Sequence, residues 1–177
     1  MWPWGHAAVG FLLLSVLTLA AARRWPRRAE TLVVLFATQL PDLIDKPLAW
    51  TLSVLPTGRS LAHSLLTAIV FLVLVSLLAT RYDQRELTPA FGIGYVSHLL
   101  TDLPIDTILR GDILHALWHG SFLLWPILPS RVHTTETSII RYFMTIEFTI
   151  PFLVEAFSAL LVGILIIRSL RKGPTLE

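Results

Sequence analysis

The sequence predicts an all-α protein: a polytopic integral membrane bundle of about five transmembrane helices, joined in places by short interfacial helices. Three observations predict this. Hydrophobic residues make up 54% of the 177-residue chain and charged residues only 15%, which is too apolar for a water-soluble domain of this length. Several apolar runs approach the roughly 20 residues that cross a bilayer. The basic residues stand beside those runs, and with a net charge of only +2 they read as topology signals, not as a nucleic-acid footprint. The length suits one membrane domain over residues 1–177.

The first helix is expected over 6–22. Its run of Leu, Val and Ala resembles the core of a signal peptide, but Arg23, Arg24, Arg27 and Arg28 follow it and no positive charge precedes it, the reverse of a signal peptide's polarity. It is therefore read as a retained helix. Pro26 suits the first turn of a second helix over 26–41, which Pro41 is expected to end. Residues 47–55, bracketed by Pro47 and Pro56, are too short to span and are assigned to the interface. The third helix, 61–80, is rich in Leu and Val and ends at Arg81; the fourth, 87–103, ends before Pro104. Gly111, Gly120, Pro126 and Pro129 break residues 105–149 into short pieces expected to pack over the bundle. The last helix, 150–168, runs into Arg168, Arg171 and Lys172.

Five spans threaded from an extracytoplasmic N-terminus to a cytoplasmic C-terminus give a consistent map in the plasma membrane. The turns 23–30 and 81–86 and the tail from Arg168 hold nine of the 14 Lys and Arg residues, which places them in the cytoplasm by the positive-inside rule. All six histidines, with Asp42, Asp45, Asp102, Asp106 and Asp112, then fall on the opposite face.

His6 opens the first helix, Asp42 and Asp45 close the second, His63 opens the third, and His98 and Asp102 lie four apart near the end of the fourth. On a helix that last spacing stacks the two side chains on one face, as two ligands from a single element require. Counted up from the cytoplasmic turns at about 1.5 Å per residue, each group lies roughly 18 to 26 Å along its helix, so they share a level near the outer interface. Singly, any of them could cap a helix end. Together, ionisable groups at one membrane depth point to a site. The order also suggests duplication: one hairpin opens at His6 and closes at Asp42 and Asp45, and a second opens at His63 and closes at Asp102 and Asp106.

With no cysteine, disulfides, thiolate nucleophiles and Cys-held zinc are excluded, so a metal must be held by imidazole and carboxylate. His6, Asp42, Asp45, His63, His98 and Asp102 suffice for two divalent ions sharing a carboxylate, or for one ion with supporting partners. Zinc is the first choice from the share of histidine, and manganese fits as well. Such a centre can hydrolyse an ester or phosphoester, a lipid or lipid-linked one included, by activating water. Arg59 is the candidate for orienting the substrate's anion, Asp45 is a catalytic candidate as well as a ligand, and Ser64 could support a ligand. Asp112, His115 and His119 form a second cluster beside Trp118, read as an interfacial segment. Glu155 is expected to face the bundle as a supporting partner. Membrane lipids are the expected partners. No phosphate loop or Rossmann glycine pattern points to a nucleotide, and nothing points to nucleic acid. Two other functions use the same residues: a metal or ion transporter, and a non-catalytic membrane subunit whose His and Asp groups tie helices together.

The motifs Gly5-His6, Leu40-Pro41-Asp42-Leu43-Ile44-Asp45, Arg59-Ser60-Leu61-Ala62-His63-Ser64, Gly94 through Asp102 and Leu123-Leu124-Trp125-Pro126 occur in that order. In this they resemble the YdjM-type membrane-bound metal-dependent hydrolases. The resemblance implies a helical membrane protein with a metal-dependent hydrolase site at His6, Asp42, His63, His98 and Asp102. Two features depart from the family pattern. Gly58 and Ala62 stand where a His before the Arg and a Thr before the His are usual, and one extra residue separates Asp42 from Asp45, turning the second carboxylate about 100° around a helix.

Overall fold

The computed structural model describes residues 1–130, 140, 144 and 146–171. They are helical, with no strand among the described residues: α1 (Pro3–Ala22), α2 (Arg28–Lys46), a π-helical turn (Pro47–Thr51), α3 (Leu65–Arg81), a 3-10 turn (Arg85–Leu87), α4 (Thr88–Thr101), α5 (Ile105–Leu109), α6 (Ile113–His119), a second 3-10 turn (Gly120–Leu124) and α7 (Ile150–Arg171). Of the interfacial stretch expected over 105–149, residues 131–139, 141–143 and 145 lie outside the described residues, as does Lys172 of the basic tail.

The all-α expectation holds, but among the described residues two helices are long and apolar enough to cross a membrane, against the five expected. These are α1, with a mean hydropathy of 1.9, and α7, with 2.5. The reason lies in how the chain spends its residues. α2 carries Arg28, Glu30, Asp42, Asp45 and Lys46 within its 19 residues. α3 has 17 residues because Ala62, His63 and Ser64 belong to the preceding turn, and α4 has 14 because it stops before Leu103-Pro104. Polar groups and helix breaks at one end shorten the apolar lengths. α2 also runs on through Pro41 to Lys46 instead of ending there, which puts Asp42 and Asp45 on its last turns.

The chain divides into two compact units. The first comprises residues 1–39, 72–98 and the chain from 148 onward. Here α1 packs on α7 through Ala8, Phe11 and Val162, and a second cluster joins Leu14, Val34 and Ala90 from α1, α2 and α4. Glycine sets the distance between these helices: a Cβ on Gly94 would lie 2.6 Å from the Val34 carbonyl oxygen and 2.8 Å from the Ala37 Cβ, and one on Gly10 would lie 2.3 Å from the Thr38 Cγ2. Only a hydrogen fits in either place. Glu155 of α7 accepts a hydrogen bond from the Trp2 amide at 2.8 Å, capping the start of α1 from another helix. At the far end Glu30 takes a two-pronged bond from Arg24 at 2.6 and 2.7 Å and also accepts from the Arg27 amide. The buried Ser169 of α7 donates to the Pro26 carbonyl and shares a hydrogen bond with Thr31, which fastens the α1–α2 turn to α7.

The second unit comprises residues 40–71 and 99–147. Its polar turn over 52–64 is held by hydroxyl groups. Thr57 bonds to Ser60, Ser130 and the Arg59 carbonyl, Ser130 donates to the same carbonyl, and Ser64 donates to the Trp125 carbonyl. Phe122, fully buried, sets its ring edge-on to His63 with centroids 6.0 Å apart. Asp112 caps α6 by accepting from the His115 amide at 3.1 Å.

Candidate metal centre

Within the second unit, carboxylates from the end of α2 and from just beyond α4 converge on one imidazole. His63 is fully buried, and Asp45, also fully buried, stands against its Nδ1 at 2.8 Å. A carboxylate oxygen can only accept, so Nδ1 carries a proton and Nε2 is the nitrogen presented to the centre. Nε2 lies 3.5 Å from the Asp42 Oδ1 and 3.3 Å from the Asp102 Oδ2. Burial disfavours a charged ring, but the surrounding carboxylates of Asp102, Asp42 and Asp45 outweigh it and raise the His63 pKa from 6.5 to about 10. The pocket is built to hold positive charge beside Nε2.

Every acid here has a partner. Asp42 pairs with Lys46 one helical turn on, and Arg59 grips Asp102 with Nε at 2.8 Å and Nη2 at 3.1 Å. Asp45 uses both oxygens to gather the turn before α3: Oδ1 accepts from the Ala62 amide at 2.8 Å, and Oδ2 accepts from the Ser60 amide at 2.7 Å and the His63 amide at 3.3 Å. Three amide donors within four residues of one turn explain why an acid is needed there, since each buried amide would otherwise be unpaired.

The first unit holds His98 and His6. His98 is fully buried, and its Nδ1 donates to the Thr38 carbonyl at 2.6 Å, which again makes Nε2 the lone-pair nitrogen. The close approach of Gly94 to α2 brings that carbonyl within reach, one turn before His98 on the same helix. His6 stacks on His98, rings 4.0 Å apart and inclined by 23°. Within the second unit, the residues that could hold a metal ion are the buried Asp42, His63 and Asp102.

Of the residues singled out from sequence, Asp42, Asp45, His63, Asp102 and Arg59 are brought together, and His6 meets His98. Arg59, expected to face an anion, points two of its donors at Asp102. Ser64 bonds to a main-chain carbonyl. His115 and His119 lie on α6, rings 4.3 Å apart, and Glu155 serves the start of α1. Two participants were not singled out as site residues: Lys46, readable from its i+4 spacing to Asp42, and the Thr38 carbonyl, which no side-chain pattern announces.

A family model described as YdjM inner membrane protein matches residues 1–172. No curated protein and no solved structure matches the chain.

Proposed function

We propose that this chain, which belongs to the YdjM inner membrane protein family, is a membrane-embedded metal-dependent hydrolase of an ester or phosphoester, a lipid or lipid-linked one included. One observation carries the reading: the spacing of the Asp42 and Asp102 oxygens about His63 Nε2, at 3.5 and 3.3 Å. Ligands about 2.1 Å from a tetrahedrally coordinated ion stand roughly 3.4 Å from one another. Neutral hydrogen bonds would draw these atoms closer, to about 2.9 Å. The anchored Nδ1 atoms support the same reading, because a ligating histidine characteristically gives its other nitrogen to a carboxylate or carbonyl.

In this scheme Asp42, His63 and Asp102 hold the ion, zinc first and manganese second. Asp45 positions His63, Arg59 holds Asp102 and offers its remaining donors to the substrate's anion, and His6 supports the His98 ring. A bound divalent ion supplies water with a pKa near 7 in place of 15.7. The rest of the scheme is a bundle of five spans, α2 to α4 completing the set begun by α1 and α7, with the N-terminus outside and the C-terminus in the cytoplasm. Metal analysis of the purified protein tests it, together with hydrolysis of a chromogenic phosphodiester. Bound zinc or manganese that is lost with turnover in Asp42→Asn supports the scheme. A protein that takes up neither ion after dialysis against it refutes the scheme.

Lys46 on Asp42 and Arg59 on Asp102 favour a second reading, in which the ion pairs tie the chain together without catalysis. Under it, His63→Ala lowers thermal stability while metal content stays at background in both proteins.

A further inference from the structure

We propose that the junction of the α1–α2 turn with the end of α7 is a binding site for an anionic phospholipid, which it grips by the phosphate. A pocket of about 150 Å³ opens there, lined by Trp25, Leu165, Arg168 and Ser169. Its chemistry is two-sided. Leu165 packs against the apolar cluster of α1 and α7, and Trp25, 41% exposed, offers a broad ring of the kind that settles at headgroup depth. Arg168 supplies a guanidinium, whose fork of donors matches two phosphate oxygens.

Charge decides the ligand. Arg23, Arg27, Arg28, Arg168 and Arg171 are all exposed at this end of the first unit, and none makes a side-chain ion pair among the described residues. The nearby acid, Glu30, is buried and already occupied by Arg24 and the Arg27 amide. Of these five guanidiniums, Arg168 lines the pocket itself, and none of the five has a side-chain ion-pair partner among the described residues. The pocket is also fixed in place. Ser169, 4% exposed, donates to the Pro26 carbonyl and bonds to Thr31, so Trp25 and Arg168 keep their spacing without help from a ligand. A zwitterionic headgroup would bring its own cation into this field; a headgroup with net negative charge would not. An arginine near an anionic lipid surface contributes about five-fold in affinity, and one aimed at the phosphate contributes more.

Native mass spectrometry of the detergent-solubilised protein, titrated with equimolar phosphatidylglycerol and phosphatidylcholine, tests this. Phosphatidylglycerol should remain bound in preference, by at least ten-fold, and should raise the melting temperature in detergent. Arg168→Gln should cut that preference five-fold or more and Trp25→Ala should weaken retention of the lipid, whereas Arg171→Gln, outside the pocket lining, should change it less than two-fold. Equal losses in Arg168→Gln and Arg171→Gln would mean a diffuse basic surface and overturn the site. So would stabilisation by inorganic phosphate alone equal to that by phosphatidylglycerol, or equal retention of the two lipids.

Discussion

Asp45→Ala probes the arrangement where it is most heavily connected. The carboxylate accepts from the Ser60 amide at 2.7 Å, the Ala62 amide at 2.8 Å and the His63 Nδ1 at 2.8 Å, all three donors being buried. Removing it leaves each donor without its acceptor, at about 1–3 kcal/mol apiece. Water entering the space left by the side chain recovers part of this, so the net loss should be about 4 kcal/mol, a fall on the order of 10 °C in melting temperature. Asp45→Asn keeps the shape and one acceptor oxygen, and should lose about half as much. The His63 ring, no longer held in one tautomer, should also bind metal about 10- to 100-fold more weakly. Thermal unfolding in detergent and zinc titration measure the two effects. A melting temperature for Asp45→Ala within about 2 °C of the parent, with metal affinity unchanged, would refute the role assigned to this carboxylate.

Two further outcomes follow from the geometry. Gly94→Ala places a methyl 2.6 Å from the Val34 carbonyl, so α4 must move away from α2 at a cost of about 1–3 kcal/mol, and Gly94→Val should cost more; thermal unfolding checks the order. In metal-free protein the His63 pKa is raised from 6.5 to about 10, so its contribution to stability is complete below pH 6.5 and is lost as pH climbs through 10. Metal must displace that proton, so zinc affinity should rise with pH over the same interval, with about one proton released per ion, as calorimetry in buffers of different ionisation enthalpy would show.

Much of this was legible in the sequence because local spacing carried it. His98 and Asp102 stand four apart on or beside one helix, and Asp42, Asp45 and His63 are ionisable residues in apolar surroundings, which draws attention at once. The helical class followed from composition. What could not be read depends on backbone positions. Asp45 looked like a ligand because it carries a carboxylate; that its oxygens gather the amides of Ser60, Ala62 and His63 depends on the path of the turn over 52–64, which has no periodic pattern. Arg59 looked free to meet a substrate, since its pairing with Asp102 spans 43 residues. Two described helices, against five expected, are long and apolar enough to span, because hydropathy counts apolar residues without regard to where a helix starts, and α3 begins only after Ser64.

Pro41 sits inside α2, where its ring has no hydrogen to give the carbonyl four residues earlier and pushes against the backbone of the preceding turn. Thr38 is in that turn, and its carbonyl bonds across 60 residues of sequence to His98. A residue usually regarded as a helix breaker thus stands three positions beyond the carbonyl that decides which edge of a distant imidazole carries hydrogen and which carries an electron pair.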